Sequence, residues 1–501
     1  GRLGQKSGAG FYRKGDRRVI EMIDPKSFEY IAQNRPEFPC LALTKKAPSV
    51  ADRIRAVTAS DDPGGRFIRA NLASTIAYAA QCVPEICDDL PSIDDAMRWG
   101  FGWSLGPFEL FDAMGADRVK QALHDEGRSI PPLLEALDRR GEATFYKRVG
   151  DERIVLDPIA ERPAVVPRSP RRQTLRSSTH VADLDDARLV DLGEEVLGLE
   201  FTSKRNTITP GWIASARESV ERAEREFRGL VISSDADDFC VGANLQLVVD
   251  AVEAGNFSEV ERIVADFQSL TQRLRTSRCP VVVAPRGLAL GGGCEIVLAG
   301  ARVRAAAETY IGLVEVGAGL IPAGGGCTAM LRRLEERLPT DVPSDRFPFV
   351  RRLFETVGMA RIGTSAVEAF ELGYLRTGDS ISMNRHHLIA DARNVIVAMQ
   401  LEGYRPERPR NDIQVVGRDG YYAIRSGLDN MKEGRQITEY DAVVGERLAW
   451  ILCGGAISEP TAVSEDYLLA LERQAFMDLC RDDRTVARMK QLLETGKPLR
   501  N

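Results

Sequence analysis

Histidine is scarce in this chain. Only His124, His180, His386 and His387 occur among 501 residues, and none lies near the most glycine-rich segment. A serine or cysteine nucleophile paired with histidine is therefore not expected there. The adjacent pair His386–His387 reads as helix surface rather than as a metal site. The nine cysteines are an odd, scattered set with no C-x-x-C pair. That pattern excludes a disulfide framework and a zinc knuckle, and it suits reduced thiols in a cytoplasmic protein. No apolar run approaches the ~20 residues that cross a bilayer. A net charge of −6 leaves no basic footprint for nucleic acid or an anionic membrane. Nowhere does a strand-like run enter G-x-G-x-x-G and then a helix, the fingerprint of a dinucleotide fold. An initiator methionine and a signal peptide are also lacking. The opening "GRLGQKSGAGFYRK" reads as the end of something longer, so the chain is expected to be a fragment.

What is present is ordinary globular material, 44% hydrophobic and 28% charged, long enough for about three or four domains. Its organising stretch runs from Ala284 to Gly326. Val281, Val282 and Val283 after Pro280 suit a strand. Gly291, Gly292 and Gly293 then precede a short helical run, Cys294 to Leu298. Glycines there let backbone amides approach a ligand, and the helix N-terminus adds unpaired donors and the positive end of its dipole. Glu295 sits in the first turn. Glu315 follows the apolar run "YIGLV", before the reversing loop "GAGLIPAGGG". Each part alone has an ordinary structural reading as a tight turn, a dipole partner or a solvated strand end. Together they offer one oxyanion-type donor site and two carboxylates.

Upstream, the strand-like Leu230 to Ser233 leads to Phe239 and then Gly242, Ala243 and Asn244. The ordered segments "FCVGANL", "GLALGGGCE" and "EVGAGLIP", with Asn206, Thr207 and Ile208 earlier, resemble the crotonase superfamily, specifically enoyl-CoA hydratases. The resemblance implies an acyl-CoA substrate and a thioester oxyanion held by the amides of Ala243 and Gly292. It implies that Glu295 activates water and that Glu315 exchanges a proton with C2. Gly242, Asn244, Gly291 and Gly293 would line the substrate. Hydration needs neither a cofactor nor a metal. Val314 stands where the family commonly has proline, and Asn244 where it has aspartate. An isomerase of the same fold, and a non-catalytic support for a dehydrogenase, remain as alternatives.

The opening residues and the run "IDDAMRWGFGWSLGPFELFDAMGADRV" resemble the helical domain of 3-hydroxyacyl-CoA dehydrogenases. Ile68, Leu72, Ile76 and Ala80 fall on one helix face, and the motif from Gly106 to Asp112 reads as core rather than chemistry. The resemblance puts NAD only in a nucleotide-binding domain that would precede residue 1, so this chain is not expected to oxidise. The expected architecture is multidomain. An all-α dehydrogenase C-terminal-like domain covers 1–150, with its second copy at 66–146. A linker, rich in arginine and proline, covers 151–188. An α/β crotonase-like ββα-spiral domain covers 189–380, with an insertion near 335–348. An α-helical C-terminal extension covers 381–501, with one helix capped by Ser464 and another closed by Gly496. Self-association and a thiolase subunit as partner are compatible with the resemblance.

Overall fold

The computed structural model describes residues 2–15, 19–33, 36–44, 47–149, 152–166, 171–339 and 344–501. The chain divides into two compact units, Gly1–Arg168 and Ser169–Asn501.

The first unit is built on helices whose starts are written in the sequence. Ser49 accepts from Asp52 N at 3.1 Å to open helix Val50–Ala59, and Asp62 Oδ1 accepts from Gly64 and Gly65 N to open Pro63–Gln81. Ile76, Leu90, Phe108, Phe111, Leu123 and Phe145 form its core, with the Phe108 and Phe145 rings edge-on at 5.1 Å. The Gly106–Asp112 motif is spent inside this core. A Cβ on Gly106 would lie 2.3 Å from Asp94 Cα, and Asp94 accepts from Phe108 N and Tyr146 Oη. Asp112 receives the amides of Phe145 and Tyr146. Beside the helices stand two three-stranded antiparallel sheets.

The second of these sheets changes the expected linker. Glu152–Asp157 pairs with Tyr146–Val149 on one side and Arg162–Val165 on the other, and Thr179–Leu184 is a strand of the next unit. In its described residues the run forms paired strands rather than an extended tether. Its proline content misleads because Pro163 lies on an edge strand, where a missing N–H costs no ladder bond. Residues 151 and 167–170 of that stretch lie outside the described residues.

The second unit is organised by a seven-stranded sheet in the order Ser380–Ser382, Arg302–Ala306, Val281–Val283, Gly229–Ser233, Val196–Phe201, Ala187–Asp191, Thr179–Leu184. The first five strands run parallel and the last two join antiparallel. Register is set by Leu230 against Val281 and Ile232 against Val283. These strands read as unbroken apolar runs because both faces are covered. Helices Pro210–Glu226 and Phe257–Arg275 pack one face, and helix Leu388–Leu401 closes the other over Val231 and Val282. A separate parallel pair, Gly287–Leu290 with Thr309–Gly312, carries the glycine-rich turn.

The region from 381 onward is helical, but it is not an appendage. Leu448, Leu452, Leu468, Phe476 and Met489 lie in the same apolar cluster as the sheet, because each helix buries a continuous stripe against it. Ser464 caps helix Glu465–Cys480, and Gly496 closes helix Asp483–Thr495 in the left-handed region. Of the expected insertion, residues 340–343 lie outside the described residues.

Candidate active site

Strand Gly287–Leu290 ends at Gly291, whose φ of 55° and ψ of −125° suit glycine alone, and helix Gly292–Ala299 follows. Gly291 N donates to Gly312 O at 2.9 Å, tying this turn to the second strand of the pair. The loop carrying Gly242 and Ala243 is laced alongside. Cys240 N donates to Leu288 O and Leu290 N to Cys240 O, both at 3.0 Å. Ile208 holds the other edge, donating to Gly242 O and accepting from Asn244 N.

Two amides meet as a result. A Cβ built on Gly292 would sit 3.4 Å from Ala243 N, and one on Gly242 would sit 3.5 Å from Gly292 N. Neither Ala243 N nor Gly292 N donates a hydrogen bond among the described residues, which leaves two neighbouring donors for an oxygen of a ligand.

Glu295 and Glu315 share the interior beside these donors. Glu295 is 5% exposed, and its Oε1 accepts from Gly324 N and Gly326 N, each at 2.8 Å. Burial pushes its carboxyl up to about 7, against the pull of those amides. Glu315 opens a turn of 3₁₀ helix, Glu315–Ala318. Its Oε1 lies 3.4 Å from where a Gly291 Cβ would be, and both its oxygens are buried without a hydrogen-bond partner. Burial first, then the charge of Glu295, pushes this carboxyl well above the ordinary glutamate value. The two acids therefore differ in their surroundings: two amide donors favour the anion of Glu295, and Glu315, buried beside that charge, is favoured as the neutral acid.

The remaining expected residues have local tasks. Asn244 caps helix Leu245–Glu253 by accepting from Gln246 N at 3.2 Å. A Cβ on Gly293 would collide with Cys240 O at 2.5 Å, so this glycine lets helix and loop approach. No group of three or more acidic, cysteine or histidine side chains that could hold a metal occurs among the described residues, and no described helix is long and apolar enough to cross a membrane.

Sequence reasoning missed Glu472. It is fully buried on helix Glu465–Cys480, and burial, then the charge of Glu295, pushes it up to about 8. The signal was legible only as an anomaly, a glutamate on a helix face with Leu468, Leu471, Ala475 and Phe476.

Comparison with known proteins places two domain types in order. The 3-hydroxyacyl-CoA dehydrogenase C-terminal domain family matches residues 67–149, and the enoyl-CoA hydratase/isomerase family matches 194–342. The chain thus carries a dehydrogenase C-terminal-like helical domain followed by a crotonase-like α/β domain with a helical C-terminal region. A Bacillus subtilis (strain 168) protein named "Probable 3-hydroxyacyl-CoA dehydrogenase" is 37% identical over 504 residues, covering 100% of this chain and 63% of its own length. The chain therefore spans less than two thirds of that relative. The fatty acid oxidation complex subunit alpha of Pseudomonas syringae pv. syringae (strain B728a) is 34% identical over 154 residues, 29% of this chain and 20% of its own. A solved enoyl-CoA hydratase from Bacillus halodurans is similar with a TM-score of 0.42 at 15% identity, covering 61% of this chain and 100% of its own.

Proposed function

We propose that the second unit hydrates 2-enoyl-CoA thioesters, as a step of fatty-acid β-oxidation. The observation that carries this reading is the unlike pair Glu295 and Glu315 beside two undonated amides. Water adding to C3 of an α,β-unsaturated thioester drives negative charge onto the thioester oxygen. Ala243 N–H and Gly292 N–H are the donors for that oxygen, fixed beforehand by the backbone. Glu295, ionised and steadied by Gly324 N and Gly326 N, takes the proton of the attacking water. Glu315, kept neutral by burial and by its neighbour's charge, gives a proton to C2. One proton leaves water and one reaches carbon, so the pair ends with its charges exchanged, and a proton returning through solvent resets it.

The dehydrogenase resemblance brings NAD into question, and the described residues of the first unit do not fit it. Strands in the described part of the first unit pair only antiparallel, and no glycine-rich turn there joins a strand to a helix in the dinucleotide pattern. No step is therefore assigned to NAD here.

The test is product identity. A short 2-enoyl-CoA incubated with the protein is expected to lose its conjugated thioester absorbance and yield 3-hydroxyacyl-CoA. Formation of 3-enoyl-CoA alone would mean an isomerase, and no reaction would mean a supporting domain.

A further inference from the structure

Glu472 holds the start of helix Gly326–Arg337 together with Glu295, and the two alternate along it. Glu295 takes the amides of Gly324 and Gly326, while Glu472 takes Gly325 N at 2.9 Å, Thr328 N at 2.6 Å and Thr328 Oγ1 at 2.7 Å. Four amides at one helix N-terminus are thus shared between carboxyls from distant parts of the chain. Gly325 sits at φ 106°, so the turn itself is glycine-dependent. An apolar residue in place of Glu472 would leave three buried donors without acceptors.

Resting on the hydratase reading, we propose that Glu472 is a positioning residue for that reaction, holding the Gly324–Thr328 turn so that Gly324 N and Gly326 N meet Glu295. The surrounding groups leave the two acids to influence each other. Glu315 and the Cys327 thiol are the other titratable groups beside Glu472. Helix Phe257–Arg275 presents Gln268, which donates to Leu469 O, and Thr271, which donates to Gly324 O. On helices Glu439–Leu452 and Asp483–Thr495 the buried polar groups Tyr440, Thr485 and Arg488 are engaged with one another or with Asp441. Arg275, Arg332 and Glu465 border a cavity of about 20 Å³ next to Glu295 and are paired among themselves. Glu472 is therefore the direct hold of the C-terminal helices on this turn.

The experiment is the pH dependence of short-chain enoyl-CoA hydration in the full chain. Glu472→Gln keeps one acceptor oxygen and turns an amide N–H toward a donor, loosening the turn. The acidic limb, which reports ionisation of Glu295, is expected to move up by roughly one pH unit, because the loosened Gly324 and Gly326 amides no longer favour its anion. Plateau kcat is expected to fall by about 10- to 100-fold with KM little changed. Thr328→Val removes the Thr328 Oγ1 donor, loosens the hold of Glu472 on the turn and should move the limb the same way by less. If Glu472→Gln does not fold, Thr328→Val decides alone. A limb unmoved in the folded variants overturns this proposal and leaves the hydratase reading standing. A wild-type protein that hydrates nothing overturns both.

Discussion

Glu315 keeps a carboxyl in the interior with no hydrogen-bond partner on either oxygen, which costs stability and has a use only if the group moves a proton. Glu315→Gln should lower hydration by about 10²–10⁴-fold while leaving KM nearly unchanged, measured by steady-state kinetics. The same group makes a stability prediction. Its folded-state value lies well above the ordinary 4.5, so its favourable contribution is complete below 4.5 and is lost as pH rises through the native value. Thermal melts should therefore fall more steeply with alkaline pH in the wild type than in Glu315→Gln. For the rate the sign is opposite at Glu295. Activity should rise through about pH 7 as this base loses its proton, and then fall where Glu315 ionises. The pair was legible in sequence because its spacing from the glycine triplet is local. Glu472 was not, because only the fold brings the C-terminal helix to Gly325 and Thr328.

Helix Gly292–Ala299 and the Gly242 loop work as one element, since Gly293 has no room for a side chain. Gly293→Ala would push a methyl into Cys240 O, which should cost about 1–3 kcal/mol and separate the two amides. Denaturant melts and kcat should fall together, unlike in Glu315→Gln. Caps were readable at this scale, and Ser464 and Gly496 bound their helices as their residue types imply. Strand Arg162–Val165 was not readable. Its arginine and proline content describes a solvated edge, and only pairing with Ile154 to Asp157 makes it a strand.

Among the described residues three buried clusters fill the chain, one in Gly1–Arg168 and two, on the two faces of the sheet, in Ser169–Asn501. The order of a helical domain and then an α/β domain could be read from motifs. The unity of 169–501 could not, because the apolar stripes of its last helices show no partner until they are packed. Removal of residues 465–501 should therefore leave insoluble protein rather than a trimmed enzyme, since it strips Leu468, Phe476 and Met489 from the core. Expression and sedimentation would check this. The central claim is that Glu295 and Glu315 act on one water. The most direct measurement is the rate of short 2-enoyl-CoA hydration by Glu295→Gln, Glu315→Gln and the double variant. Each single change should cost about 10²–10⁴-fold, and the double change should cost less than the product of the two. Full activity in Glu315→Gln would contradict the account.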